Sequence, residues 1–275
     1  MQNERQAAIL NYLAEKNEAK NEELLQVIGN YSMMTLWRDL AKLEQEGKII
    51  RIRGGAILTS PTQNGMEPSL GLRMKQNISE KEDIAKIALP LIETNRAYYM
   101  DAGSTIYTLA KRLQNDSFTV ITSAANIACE LVQHNKHSIT LLGGQMNSVT
   151  LSCSGPQAMH MLDEMNIDIA LMATSGFSQH SGFSSGCLAE AQLKNLVIKK
   201  ARLSVMLMDY AKISKNHPFT FANLDDIDVV IGDQMLSPQF ISEAEEHGVL
   251  VFTPKDGLTE EERVRRFKEK LNEEQ

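Results

Sequence analysis

Little in this chain points to a membrane-spanning, secreted or metal-built protein. No stretch of its 275 residues approaches the roughly 18 uninterrupted apolar residues that would span a bilayer. The opening residues, Met1-Gln2-Asn3-Glu4-Arg5, hold no basic run followed by an apolar core, so no secretory signal is expected and the expected location is cytoplasmic. Cysteines number three, Cys129, Cys153 and Cys187, an odd count at wide spacing that fits neither a disulfide framework nor a zinc module. All three are expected to be reduced and structural. There is no histidine-rich metal spacing, and no cofactor is called for. Aromatic residues are 5% of the chain, with one tryptophan, Trp37. Internal repeats and low-complexity tracts are missing. What is there is ordinary: 43% hydrophobic and 23% charged residues exclude wholesale disorder and a fibrous chain. The length suits two domains or one large α/β domain.

The net charge of −7 seems to argue against a nucleic-acid partner until it is divided along the chain. Residues 1–58 carry eight Lys or Arg and eight Asp or Glu, whereas the remainder holds 20 basic against 27 acidic residues. The whole deficit lies beyond residue 58. The neutral head ends in a locally basic stretch, Lys48 to Arg53, which suits either a DNA-binding module or simply a solvated face.

Periodicity defines that head. Ala8, Ile9, Tyr12 and Leu13 recur at helical steps and predict a helix over 4–15. A short second helix carries Leu24, Leu25, Val27 and Ile28 and stops at Gly29-Asn30. Ser32 reads as the N-cap of a third helix over 33–46, with Leu36, Leu40 and Leu43 inward and Arg38, Asp39, Lys42 and Glu46 outward. Gly47 ends it. Two short strands, 48–53 and 56–59, are joined through Gly54-Gly55, a dipeptide suited to a tight hairpin. Three helices and a hairpin in residues 1–59 make a winged helix-turn-helix.

Residues 60–78, with Pro61, Gly65, Pro68 and Gly71, read as a linker. Over 79–275 helices alternate with short apolar strands, at 97–100, 119–122, 138–142, 167–173, 203–208, 229–231 and 249–252. This alternation predicts a mostly parallel α/β sheet with helices on both faces. The last stretch, 260–272, predicts an amphipathic helix with Val264, Phe267 and Leu271 inward.

Ser32-Met33-Met34-Thr35-Leu36-Trp37-Arg38-Asp39-Leu40, then Leu43, Gly47 and Arg51-Ile52-Arg53-Gly54-Gly55-Ala56, resembles the DeoR family of bacterial transcription regulators. The likeness continues with Asp101-Ala102-Gly103-Ser104-Thr105, Thr122-Ser123-Ala124, Gly143-Gly144, Glu190, Lys194 and Asp209-Tyr210-Ala211-Lys212, in the family's order over about residues 3–233. Each motif alone is weak; the ordered set is specific. The resemblance implies an N-terminal DNA-binding module and a C-terminal sugar-phosphate sensor and oligomerisation domain, similar in fold to ribose-phosphate isomerases and CoA transferases. It implies a repressor of a sugar-catabolic operon, released from operator DNA by a phosphorylated sugar, acting as a homodimer or homotetramer.

In a helix-turn-helix the second helix of the pair enters the major groove. The candidate DNA contacts are therefore Ser32, Met33, Met34, Thr35, Trp37 and Arg38, with Arg38 able to bind guanine or phosphate bidentately. Arg51 and Arg53 on the wing would meet backbone phosphates or the minor groove. The family usually has arginine where Trp37 stands. Two readings of Trp37 remain open, a groove contact or packing against the wing or a neighbouring helix.

On the sensor side, Gly103 lets the backbone approach a ligand closely, while Ser104, Thr105 and nearby amides offer donors to a phosphate. Taken by itself that pentapeptide is equally an ordinary N-cap turn. Thr122, Ser123, Gly143 and Gly144 would join it at the carboxyl edge of the sheet, where open α/β folds bind ligands. Ser123 replaces the asparagine common in the family. Lys212 is placed to meet phosphate as a point charge. Asp101 and Glu190 are acceptors for sugar hydroxyls, and Lys194, one turn beyond Glu190, is in position to salt-bridge it. Gly176 and Gly182 flank a loop, 177–181, able to close over a ligand.

A second function class fits part of this set. Asp101, Glu190 and Lys212 can be read as acid, base and electrophile of a sugar-phosphate isomerase with an accessory N-terminal module. An isomerase has no need of the first 58 residues. A regulator that senses a nucleoside or a free sugar is a third reading.

Overall fold

The structure is a computed structural model that describes residues 2–16, 18–45, 48–52, 54–58, 68–113, 118–133 and 138–273. It divides into two units, Met1–Pro68 and Ser69–Gln275. Arg53, Glu46, Gly47 and the stretch 59–67 lie outside the described residues.

The first unit runs α1 (Gln2–Lys16), β1 (Glu18–Lys20), α2 (Asn21–Ile28), α3 (Met33–Gln45), β2 (Ile49–Ile52) and β3 (Gly55–Leu58). The Ser32 hydroxyl accepts from the Thr35 amide at 3.3 Å, the N-cap expected of it. Ile9, Leu13, Leu24, Leu36, Leu40, Leu43 and Ile49 are buried together and form this unit's core. Strand β1 was not legible, because three residues carry no usable period. It pairs antiparallel with β3 and makes the wing three-stranded, in the order β1-β3-β2. Gly54 turns the hairpin at φ +85°, a region that favours glycine. Gly55 has a different reason to be glycine: a Cβ there would collide with the Ala19 carbonyl, so its absence lets β1 approach β3.

One side chain departs from expectation in this unit. Asp39, read as facing outward, is 1% exposed and is bound by Arg5 and Gln6 of α1. An acid on an otherwise polar helix face gives no sequence signal that a neighbouring helix covers it.

The second unit opens with α4 (Leu70–Lys75), inside the segment read as linker, with Leu70 and Arg73 buried. It continues α5 (Ile78–Ala88), β4 (Ala97–Met100), α6 (Ser104–Ala110), β5 (Thr119–Thr122), α7 (Ala125–Val132), β6 (Ser138–Leu141), β7 (Gln145–Asn147) and β8 (Ser152–Ser154). Next come α8 (Pro156–Asp163), β9 (Ile167–Met172), β10 (Gly176–Ser178), β11 (Gly182–Ser185), α9 (Leu188–Lys200) and β12 (Ala201–Met208). Last are β13 (Phe219–Ala222), β14 (Val229–Gly232), α10 (Pro238–Glu246), β15 (Leu250–Phe252) and α11 (Glu260–Glu273).

Seven strands form one parallel sheet in the order β15-β14-β12-β9-β4-β5-β6. The pleat sends successive side chains to opposite faces. Tyr98 joins a core with α5, α6, α7 and α11, while Tyr99 joins one with α8, α9 and α10. From β4 the chain winds one way through β5 and β6, then returns to build β9, β12, β14 and β15 on the other side. The switch in winding falls between β4 and β9, the place where doubly wound sheets open a crevice at their carboxyl edge.

The segment 177–181, read as a closing loop, belongs instead to a hairpin. β10 and β11 pair with each other and β11 with β13, and Phe177 and Phe183 are buried in the second core. Burial of these rings fixes the hairpin, and of its tip only Gln179 and His180 are exposed.

Candidate functional site

In the first unit, α3 presents a mixed outer surface. Met34 is 67% and Trp37 49% exposed, and Ser32, Arg38 and Arg51 are exposed as well. Trp37 is therefore no part of the core. Met33 and Thr35 are half-buried, and Met33 packs against the core cluster. The Ser32 and Thr35 hydroxyls are hydrogen-bonded to each other at 3.0 Å. The Arg51 amide donates to Glu44 Oε1 at 3.0 Å, tying the wing to α3 while its side chain stays outside. Arg5 positions this helix from behind. Its Nε donates to Asp39 Oδ2 at 2.7 Å, and its guanidinium lies 4.6 Å from the centre of the Tyr31 ring.

In the second unit, the switch point holds a buried ion pair. Asp101 follows β4, and its Oδ2 takes the Ala173 amide at 3.0 Å and the Lys194 ammonium; its Oδ1 takes the Ala102 amide at 2.8 Å. Lys194 also donates to the Ala173 carbonyl at 2.9 Å and sits over the Phe221 ring. Burial pushes the Asp101 carboxyl above its ordinary value, against the pull of Lys194 and the two amides. Lys194 thus reaches Asp101 rather than Glu190, one turn before it, whose carboxylate is held by Asn147, Thr150 and Ser152. Gly103 fits tightly here: a Cβ would come within 2.7 Å of the Ala173 Cβ. Ser104 and Thr105 are buried at the start of α6.

Glu190 is held by another group. Its Oε1 accepts from Thr150 at 2.6 Å, Ser152 at 2.7 Å and Asn147 Nδ2 at 3.0 Å. Those donors come from the β7–β8 hairpin, which the Ala125 amide joins to α7 by donating to the Leu151 carbonyl at 3.0 Å. Leu151 has φ +55°, a strained value for a branched side chain, at the tip of this hairpin. The Tyr99 hydroxyl donates to Ser123 Oγ at 3.1 Å, and burial, with the nearby Asp101 and Glu190 carboxylates, pushes that hydroxyl above its ordinary value.

The remaining candidates separate into scaffold and surface. The Thr122 hydroxyl donates to the Met100 carbonyl at 2.6 Å and accepts from the Ala124 amide at 3.0 Å, so it braces the strand end. Gly144, at φ +132°, approaches the Ser154 carbonyl so closely that a Cβ would come within 2.6 Å; Gly143 faces open space. Lys212 stands on a short 3-10 turn, Tyr210–Lys212, after β12. Sequence reading missed Asn147, Thr150, Ser152 and Tyr99. The only available signal was the run of hydroxyl and amide side chains from Asn147 to Ser154.

A winged helix-turn-helix and an α/β unit with a buried polar cluster at its switch point together define a two-part regulator. A family model described as the DeoR-like helix-turn-helix domain matches residues 5–62, and one described as the DeoR C terminal sensor domain matches residues 76–234. The chain belongs to the DeoR family of transcriptional regulators. It is 32% identical to the HTH-type transcriptional repressor GlcR of Bacillus subtilis (strain 168) over 93% of this chain and 98% of that one. It is 27% identical to the L-fucose operon activator of Escherichia coli (strain K12) over 82% of this chain and 91% of that one. Ribose 5-phosphate isomerase A of Methanocaldococcus jannaschii matches 51% of this chain and 56% of its own at 18% identity, with a TM-score of 0.39. Among the described residues, no helix is long and apolar enough to cross a membrane.

Proposed function

We propose that the chain is a cytoplasmic repressor of a carbohydrate operon that leaves its operator when a phosphorylated sugar enters the crevice at the switch point. The observation that carries this reading is the state of Asp101. An acid or base in catalysis needs a free proton site facing substrate. Here Asp101 is committed to Lys194 and two backbone amides, and one oxygen of Glu190 already takes three donors. An Asp101 so fully hydrogen-bonded has no free site from which to move a proton. That favours a sensor over an isomerase.

At the DNA end, Met34, Trp37 and Arg38 read the major groove, Ser32 and Thr35 hold a phosphate, and Arg51 and Arg53 meet the backbone. A single module of this size makes few contacts, so the working form is a homodimer or homotetramer reading repeated half-sites. The sense of control follows the repressor GlcR rather than the fucose operon activator, because GlcR matches over more of both chains.

A mobility-shift assay on the DNA upstream of its own gene tests this directly. The full chain should shift the fragment, and one or more of glucose 6-phosphate, fructose 1-phosphate and fuculose 1-phosphate should release it where the free sugar does not. Turnover of ribose 5-phosphate with no retardation of DNA would reverse the assignment in favour of the isomerase.

A further inference from the structure

One strip of α3 combines exposure with little capacity for hydrogen bonding. Met34, Trp37, Arg38 and Ala41 recur at steps of three and four residues and are all exposed, so they line one side of the helix. At a rise of about 1.5 Å per residue the strip is about 10 Å long, which matches roughly three base steps. Asp39 lies away from this strip, and its hydrogen bonds from Arg5 and Gln6 fix the rotation that turns the strip outward.

Only Arg38 in the strip can bind a base edge through two hydrogen bonds. Met34 and Ala41 bring no strong donor or acceptor in their side chains, and Trp37 brings a single N–H. The hydroxyls at the start of the helix, Ser32 and Thr35, are engaged with each other at 3.0 Å, and the Ser32 oxygen also takes the Thr35 amide. A methionine and a tryptophan left in water one turn apart form an apolar patch, and apolar patches rimmed by polar residues mark contact surfaces. The major groove of an operator presents one apolar group that tells base pairs apart, the C5 methyl of thymine; its other distinguishing features are donors and acceptors.

We propose that Met34 and Trp37 determine operator specificity by recognising thymine methyl groups, beside a guanine or phosphate contact from Arg38. This rests on the operator-binding reading above and adds to it the chemistry of the bases read: half-sites in which two thymines lie within about three base steps. Such contacts release no counterions, so their share of the affinity does not fall with salt.

The test uses the full chain and two versions of the DNA upstream of its own gene, one made with thymine and one with deoxyuridine throughout. Uracil keeps the base pairing, the phosphates and the hydrogen-bonding groups and lacks only the methyl. Each methyl group taken out of water is worth about fourfold in affinity, so the parent should bind the thymine fragment about tenfold or more tightly than the uracil fragment. Met34→Ala and Trp37→Ala should each bind the thymine fragment less well and the uracil fragment nearly as the parent does, which narrows the ratio. Arg38→Ala should weaken both fragments and keep the ratio. Thermal melts establish that each variant is folded. If Trp37→Ala does not fold, Met34→Ala carries the comparison, and an unchanged ratio there refutes the assignment.

Equal affinity of the parent for the two fragments overturns the proposal and leaves the operator reading intact. A thymine preference that persists undiminished in both variants also overturns it, because the methyls then act through the shape of the groove. Loss of self-association in Trp37→Ala with an unchanged ratio gives the strip to a second copy of the chain, and the proposal falls. If the parent retards neither fragment, the operator reading and the proposal fall together.

Discussion

Arg5 grips Asp39 from the neighbouring helix, with Nε 2.7 Å from one carboxylate oxygen and a terminal nitrogen 3.3 Å from the other. This two-point contact joins α1 to α3. Asp39 is 1% exposed, and its position sets which residues of α3 face outward. Arg5→Ala leaves that carboxylate buried with only Gln6 to donate to it. The variant should melt at a lower temperature than the parent and lose operator affinity across all sequences alike. Asp39→Asn, which removes the charge but keeps the shape, should lose less. Melts and mobility shifts on both variants check the order; an Arg5→Ala protein with parental melting would remove the grip from the account.

Trp37 and Leu36 are adjacent, yet one is 49% exposed and the other fully buried. Leu36→Ala should cost about 2–5 kcal/mol, the usual price of a buried leucine, and abolish DNA binding through unfolding. Trp37→Arg places a charge in water and should leave the melting temperature unchanged within error. It should strengthen salt-dependent binding and alter operator preference. Thermal melts of the full chain, with binding measured at two salt concentrations, distinguish the pair.

Lys194 and Asp101 form a buried couple at the switch point, 6% and 2% exposed. Removing one partner strands the other, so Lys194→Met should destabilise the second unit by about 3–5 kcal/mol. The double variant Asp101→Asn with Lys194→Met should recover part of that loss. A double-mutant cycle by urea unfolding measures the coupling. Additive losses would mean that the two groups do not act as a pair.

Lys81 gives the second unit a pH dependence of unusual sign. Burial is the largest cause that lowers its pKa from 10.5 to about 8; Asp209 and Glu80 raise it, while Lys212 and Arg73 lower it further. Between those values the unfolded chain binds more protons than the folded one, so stability rises with pH from about 8 to about 10.5. The slope from this group is at most about 1.4 kcal/mol per pH unit. Urea unfolding at pH 7.5, 8.5 and 9.5 should show the gain in the parent and its absence in Lys81→Met. The same slope in both proteins would assign it to other groups.

Legibility followed the length of each pattern. The helices of the first unit and the parallel strands of the second showed in the sequence because apolar positions repeat over enough residues to define a face. Strand β1 and the β7–β8 hairpin did not show, since three residues in a strand carry no period. Helix α4 was hidden by the glycine and prolines around it; it is held by burial of Leu70 and Arg73 rather than by propensity. In the candidate site, Asp101, Ser104, Thr105 and Glu190 stood in recognisable motifs. Their partners Ala173, Asn147, Thr150 and Ser152 come from segments distant in sequence, and nothing local marks such a meeting.

The sequence by itself determined the two-part plan: a helix-turn-helix ahead of a parallel α/β sheet, and a regulator rather than a membrane-spanning protein. The two-part plan rests on composition and on periodic burial, which are properties of single segments; the regulator reading rests on the ordered motifs that resemble the DeoR family. Tertiary structure alone decided the pairings. Lys194 lies four residues from Glu190, a spacing that suits an ion pair on one helix, yet the packing of α9 brings its ammonium to Asp101, 93 residues away. Asp39 sits on a polar face of α3, yet Arg5 and Gln6 cover it. In both cases one buried charge is stabilised by whichever opposite or donor group the packing brings within reach, and that is fixed by how helices and strands meet rather than by their order in the chain.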